Sequence, residues 1–174
     1  DDALHFGDGG MEDAEDADII VHEYGHALQY DQLPYWGEGE MEALGEGFGD
    51  YLAASRFAGV GSDPACIAEW DSISYAPGPP YCLRRVDRDR HYPDDMTGDP
   101  HIDGEIWSRA LWDLRAALGA RIADTLALES HFYLPSATSL ADAARALFDA
   151  DANVYDNAHL ATMGEILVAR GLLT

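Results

Sequence analysis

Five consecutive residues near the start of the chain could perform chemistry, His22-Glu23-Tyr24-Gly25-His26. Residues four apart lie on one face of a helix, so the two imidazoles could converge on one metal ion. Glu23 follows the first histidine and could reach a metal-bound water, as metal-assisted hydrolysis requires. Such short patterns also arise by chance, and two unconnected histidines on an exposed helix are the alternative interpretation.

A third ligand is expected downstream, because hydrolytic zinc sites use three protein ligands and leave one position for water. Glu46 follows His26 after nineteen intervening residues and is our candidate. Asp50 shares the helical face of Glu46 and could accept the free ring N–H of a ligand histidine, for which His22 is favoured. Glu42 lies on the same face and is the rival ligand, but it has no such partner.

Two helices must bring these residues together, and the sequence predicts them at residues 13–30 and 41–57. Glycines at positions 45, 47 and 49 are poor helix formers. Their expected use is to let the two helices approach closely enough for one ion to bridge them.

The HExxH pattern, the gap and the segment Gly45-Glu46-Gly47-Phe48-Gly49-Asp50 together resemble the gluzincin metallopeptidases, in particular the thermolysin and fungalysin families. The resemblance implies one catalytic Zn²⁺ held by His22, His26 and Glu46, with Glu23 as general base and Asp50 orienting a ligand. It also implies a mainly α fold, the zinc-carrying helical lobe of these peptidases, with a short extended segment at residues 1–10. The β-rich N-terminal lobe of the family is not represented, so the chain is expected to be part of a larger protein.

Two further assignments follow from the resemblance alone. Arg84 corresponds to an arginine that binds the substrate carbonyl, with Arg85 as the alternative. His101 corresponds to a histidine that stabilises the oxyanion of the transition state. Either Asp99 or Asp95 could orient it. Without the resemblance, His101 would be interpreted as an ordinary loop histidine.

Calcium is a weaker expectation. Asp18 stands where thermolysin has a calcium ligand, but Phe57 occupies the position of the partner glutamate. The acidic residues 12–18 also suit the positive end of the following helix dipole. A double calcium site is therefore not expected.

The length predicts one domain, residues 1–174. Residues 1–57 would carry the active-site helices, 58–102 a long cleft loop with a short helix at 65–69, and 103–174 a C-terminal helical bundle. The third helix is expected to begin at the N-cap Asp103. Further helices are predicted at residues 121–132, 139–150 and 157–170, the last with Asn157 as N-cap and Gly171 as the stop signal.

The chain has a formal net charge of −23, with ten arginines and no lysine. This charge argues against nucleic acid as a partner, because phosphate binding needs positive charge. No apolar run is long enough to span a membrane. Cys66 and Cys82 flank a Pro- and Gly-rich stretch and could form a disulfide if the protein is secreted, with two buried free thiols as the alternative.

These observations predict a secreted zinc-dependent endopeptidase acting on peptides or proteins. The first alternative is a related module that binds zinc but is inactive, because it lacks the lobe that holds substrate. The second is a non-catalytic acidic module in which the HExxH pattern is accidental.

Overall fold

The computed structural model describes residues 3–7, 10–33, 35–61 and 63–174. These residues form six α-helices and one sheet of two antiparallel strands, which confirms the predicted mainly helical architecture. The helices are α1 (Ala17–Gln32), α2 (Glu40–Phe57), α3 (Pro100–Leu118), α4 (Ala120–Ser130), α5 (Leu140–Tyr155) and α6 (Leu160–Ala169). The strands are β1 (Cys66–Ile67) and β2 (Arg84–Arg85).

Helix α2 is the centre of the fold and packs against α1 and α3. Its residues Met41, Leu44, Phe48 and Tyr51 recur at helical spacing and are at most 1% exposed. Burying a large apolar side chain stabilises a fold by about 1.5–3 kcal/mol, so this row of residues fixes the orientation of the helix. The opposite, less apolar side of α2 faces α1 and carries the candidate ligand.

The main core continues from α2 through α3 into the C-terminal helices. It comprises apolar residues from all of these helices, including Ile106, Leu111, Leu114, Leu126, Leu140, Leu147, Met163 and Leu167. Helix α5 starts with a reciprocal capping box, in which Ser139 and Asp142 satisfy each other's backbone N–H groups. No helix among the described residues combines the length and apolar character that a membrane crossing requires.

The predicted long loop contains the small sheet. Cys66 pairs with Arg85 and Ile67 with Arg84, and Cys66 and Cys82 form a disulfide. The predicted helix at 65–69 is wrong, because Ala68 has φ of 58°, which an α-helix cannot accommodate. A 3₁₀ turn follows at Asp71–Ser74.

Two helix starts differ from the prediction because other aspartates cap them. The first helix begins at Ala17, where the Asp16 side chain accepts the Asp18 N–H. Helix α3 begins at Pro100, since the Asp99 side chain accepts the first free N–H groups and proline suits the first turn. The predicted N-cap Asp103 is instead buried within that turn, where it accepts the N–H groups of residues 97 and 98.

The predicted last helix starts three residues later than expected. Asp156 and Asn157 adopt left-handed backbone angles (φ of 55° and 64°), so Asn157 cannot be the N-cap. The predicted stop is confirmed, since Gly171 has φ of 73°. Of the predicted extended segment at 1–10, residues 3–7 have no regular secondary structure, and residues 1, 2, 8 and 9 lie outside the described part of the chain.

Candidate metal centre

Helices α1 and α2 cross at two glycines. A Cβ on Gly25 would lie 3.2 Å from the Gly49 Cα, and one on Gly49 would lie 2.7 Å from His22 Nδ1. The predicted close approach of the two helices therefore depends on Gly49 and Gly25. Gly47 instead faces α3. A Cβ on Gly45 would lie 2.9 Å from Trp36 Nε1 and 3.4 Å from Oε1 of Gln29 in α1.

Three predicted ligands meet at this crossing. His22 Nε2 and His26 Nε2 lie 3.1 Å apart. The Glu46 carboxylate lies 3.3 Å from His22 Nε2 through Oε2 and 3.4 Å from His26 Nε2 through Oε1. These are the residues among those described that could jointly hold a metal ion. The rival Glu42 is exposed on the first turn of α2, outside this group.

Asp50 binds the ring nitrogen of His22 that faces away from the other candidate ligands. Its Oδ1 lies 2.9 Å from His22 Nδ1, which is the contact that the helical spacing predicts. Asp50 is 1% exposed and also accepts two hydrogen bonds from Arg84, at 2.7 Å from Nε and 2.8 Å from Nη2. The carboxylate keeps a proton on Nδ1, so the lone pair of neutral His22 lies on Nε2 and points toward His26 and Glu46.

This arrangement needs a cation at its centre. Two imidazole nitrogens and a carboxylate face one another, and Glu46 Oε2 is buried without a hydrogen bond. In tetrahedral zinc sites with metal–ligand distances of about 2.0–2.1 Å, neighbouring ligand atoms are about 3.3–3.4 Å apart. The nearest separations in the group, 3.1–3.4 Å, are close to that spacing, with each histidine nearest to a different oxygen of Glu46. The residues therefore fit Zn²⁺ in both chemistry and distance.

The titration behaviour of these groups points the same way. Burial lowers the pKa of His22, but the hydrogen bond to Asp50 and the contact with the Glu46 carboxylate outweigh burial and raise it to about 9. Burial raises the pKa of Glu46, yet contacts with His22 and His26 bring it well below its usual range. Asp50 behaves likewise, because the Arg84 charge outweighs the effect of burial and lowers its pKa. Without a metal ion, a proton on His22 takes the place of the cation.

Glu23 and His101 lie on the accessible side of the centre. Glu23 and His26 line an open cavity of about 970 Å³ together with Tyr24 and Tyr30. The His101 side chain is 56% exposed, and its Nε2 lies 3.4 Å from Glu46 Oε2. It belongs to the first turn of α3 rather than to a loop.

Asp99 is the aspartate beside His101, although 3.7 Å separate its Oδ1 from His101 Nδ1. Asp95 instead accepts the backbone N–H of His91. Arg85, the alternative to Arg84, pairs with Asp63 and Asp87 at the surface. Arg84 itself is held on Asp50 through Nε and Nη2.

Asp18, which corresponds in sequence to a calcium ligand of thermolysin, accepts the backbone N–H of Ala68. Phe57 and Asp18 line a second cavity, of about 610 Å³, on the other side of α1.

One buried carboxylate near the centre was not predicted. Glu105 is 2% exposed and binds the chain segment that follows Arg84. It lies four residues after His101 on the same helix, and this spacing was the available signal.

A comparison with protein-family models finds no match, and a comparison with curated protein sequences also finds none.

Proposed function

We propose that this chain is a zinc-dependent endopeptidase whose helical fold is the catalytic lobe of a thermolysin- or fungalysin-like gluzincin. The observation that carries the proposal is the convergence of His22 Nε2, His26 Nε2 and the Glu46 carboxylate, whose nearest atoms are 3.1–3.4 Å apart. Two histidines and one carboxylate are a ligand set that hydrolytic zinc sites use. The position of Glu23 at the open cavity beside this centre supports a hydrolytic role over a purely structural metal site.

In this proposal His22, His26 and Glu46 hold the zinc, and Asp50 orients His22. Bound zinc would supply Lewis-acid chemistry, lowering the pKa of a water and polarising the scissile carbonyl. Glu23 would be the general base that accepts a proton from the attacking water and returns it to the leaving amine.

His101 and Arg84 act on the substrate side. The exposed His101 donates a hydrogen bond to the developing oxyanion. Arg84 uses Nε and Nη2 on Asp50, so we assign its Nη1 to a substrate carbonyl. The Cys66–Cys82 disulfide supports the further proposal that the protein is secreted into oxidising surroundings.

The test compares the parent with Glu23→Gln, Glu46→Gln and Glu42→Gln. Each protein is loaded with zinc, its metal content is measured, and cleavage of a mixed peptide library is read by mass spectrometry. Glu23→Gln should keep stoichiometric zinc and lower kcat/KM by about 10²–10⁴-fold, the usual contribution of general base catalysis. Glu46→Gln should lose zinc.

Glu42→Gln is the matched control, an exposed glutamate on the same helix, and it should behave like the parent. A Glu23→Gln variant that cleaves at the parent rate would refute the role of Glu23. A folded parent that binds zinc but cuts no peptide would instead establish the inactive module.

A further inference from the structure

We infer that Glu105 is a positioning residue for the metal centre: it fixes the segment of residues 84–90, and through it the Arg84 guanidinium that holds Asp50 against His22. This inference rests on the metal site proposed above. Its test includes a measurement that requires neither metal nor turnover.

Four basic residues lie within residues 84–90, and Glu105 binds the backbone or side chain of three of them. Glu105 Oε1 accepts the backbone N–H of Arg85 at 3.2 Å. Its Oε2 accepts Arg90 Nε at 2.7 Å and lies 3.4 Å from Arg88 Nη1. Glu105 is 2% exposed, so its contacts with the Arg85 N–H and with Arg90 are largely shielded from water and stronger than surface pairs, whereas Arg88 is half exposed.

The Arg85 N–H is the contact that matters for Arg84. Backbone carbonyls of β1 and of the residue just before it accept the N–H groups of Leu83 and Val86. These two residues flank Arg84 and Arg85 in the sequence. The Arg85 N–H, which lies between these two groups, is bound by Glu105 instead. The peptide unit that follows Arg84 is therefore fixed by the α3 carboxylate, and the direction of the Arg84 side chain depends on it.

The same carboxylate also acts on the charge of Arg84. Burial alone would lower the Arg84 pKa, whereas Asp50, with smaller contributions from Glu46 and Glu105, raises it. Buried charges thus alternate in sign from Glu105 through Arg84 to Asp50, which binds His22. Helix α3 carries His101 one turn before Glu105. One turn of this helix therefore provides both His101, on the accessible side of the centre, and Glu105, on the side of Arg84.

Replacing Glu105 by glutamine keeps the shape but not the contacts. The amide presents one oxygen and one N–H₂ group. Whichever way it is turned, a donor then faces either the Arg85 N–H or Arg90 Nε. The segment must shift, and Arg84 is expected to loosen from Asp50.

The first measurement uses metal-free protein labelled with ¹⁵N. A buried, hydrogen-bonded arginine Nε–H exchanges slowly with water, and the Arg84 signal is assigned by its loss in Arg84→Gln. We expect Glu105→Gln to speed its exchange by about ten-fold or more. Asp63→Asn is the matched control, since it removes a surface partner of Arg85 but not the Glu105 contact, and it should leave the Arg84 signal unchanged.

The second measurement is the zinc Kd, obtained by chelator competition. Groups that support a metal ligand typically change affinity by about 10–100-fold when mutated, so Glu105→Gln should weaken zinc binding by that amount. Because Glu105 acts through Arg84, the double variant Arg84→Gln/Glu105→Gln should bind zinc no more weakly than Arg84→Gln alone. A purely structural role would make the two effects additive.

Unchanged Arg84 exchange in Glu105→Gln, or additive losses of zinc affinity, would overturn the inference. If Glu105→Gln does not fold, Glu105→Asp decides, because it keeps the charge but withdraws it by one methylene. A folded Glu105→Asp that retains slow Arg84 exchange and parent affinity would also overturn it. A parent that binds no zinc would refute the proposed function, while the exchange measurement would still decide the role of Glu105.

Discussion

Asp50 is the residue on which the order of the site depends. It is 1% exposed and lies between His22 and Arg84, both of which it binds. Removing one partner of a buried pair leaves a charge without compensation, which costs about 3–5 kcal/mol. Pairs at the surface contribute far less, about 0–1 kcal/mol.

Two arginine substitutions can measure this difference. We expect Arg84→Gln to lower the free energy of unfolding by about 3–5 kcal/mol, because the buried Asp50 loses the charge and both hydrogen bonds of Arg84 and keeps only His22 as a partner. The matched control is Arg145→Gln, whose exposed pair with Asp142 should be worth less than about 1 kcal/mol. Urea unfolding of both variants provides the test, and equal losses would contradict the buried-pair argument.

Asp18 makes stability depend on pH. Burial raises its pKa to about 6 against the opposing hydrogen bond from the Ala68 N–H, and the neighbouring Asp16 and Glu69 carboxylates raise it further. Between pH 3.8, the ordinary pKa of an aspartate, and about pH 6, the folded chain keeps a proton that the unfolded chain has released. The contribution of Asp18 to the free energy of unfolding therefore falls as pH rises through this window.

Asp18→Asn should remove this contribution while keeping an oxygen to accept the Ala68 N–H. We expect the stability of the variant relative to the parent to increase from about pH 4 to about pH 6 and to stay constant above. Denaturant unfolding at several pH values measures the difference. A difference that does not vary with pH would show that the Asp18 pKa is not raised.

At this scale the sequence predicts contacts within helices and misses contacts made by loops. Helical spacing groups His22 with His26 and Glu46 with Asp50, because residues four apart share a face. The need of a zinc site for a third ligand, together with the resemblance to gluzincins, joins the two pairs across the helices. The binding of Arg84 to Asp50 depends on where a forty-residue loop returns to the core, and no local pattern encodes that path. Glu105 was missed for the same reason, since its partners lie in that loop.

At the scale of elements, α2 is packed between α1 and α3 at glycines on its two sides. Gly49 faces α1, whereas Gly47 faces Gly104 of α3. A Cβ on Gly47 would lie 2.9 Å from the Trp107 Cβ and 3.1 Å from the Ser108 backbone nitrogen. These atoms belong to a rigid helix and cannot move aside without shifting it.

Gly47→Ala is therefore expected to destabilise the protein by about 1–3 kcal/mol or more, as overpacking does. Gly164→Ala in α6 is the control, because its Cβ would meet no atom within 4 Å. There, alanine should stabilise by up to about 1 kcal/mol through its better helix propensity. Thermal unfolding compares the two, and a stabilising Gly47→Ala would refute the close α2–α3 contact.

The predicted and observed helices agree best where apolar periodicity is strong and least at their starts. Helix α2 was predicted to within one residue, since its buried face sets its length. The start of α3 was misplaced because Asp99 and Asp103 are both good caps by residue type. Tertiary contacts decide between them, with Asp103 turned inward to accept the N–H groups of residues 97 and 98.

For the whole molecule, a net charge of −23 implies strong self-repulsion in the compact state. Many arginine side chains already form ion pairs with carboxylates. Their charge therefore does not relieve the repulsion between the carboxylates that have no arginine partner. Salt screens exposed charges over about 8 Å at physiological ionic strength.

We therefore expect added NaCl to raise the Tm. A gain of about 1 kcal/mol corresponds to roughly 2–4 °C for a chain of this size, so a shift of that order should be visible between low and physiological salt. KCl at equal concentration is the control and should give the same shift, since screening does not depend on the cation. A Tm that falls with salt would mean that surface ion pairs outweigh the repulsion.

The charges of Asp50, Arg84, Glu105 and Arg90 alternate in sign, the two carboxylates buried and the two arginines partly buried. This alternation has a consequence for how the protein can change over generations. Each of these groups is tolerated in the interior because its neighbour has the opposite sign, so a single replacement creates a less stable intermediate. A lineage would have to exchange several of them together to reach a different arrangement. We expect homologous chains that diverge freely at the surface to retain or replace these positions as a group.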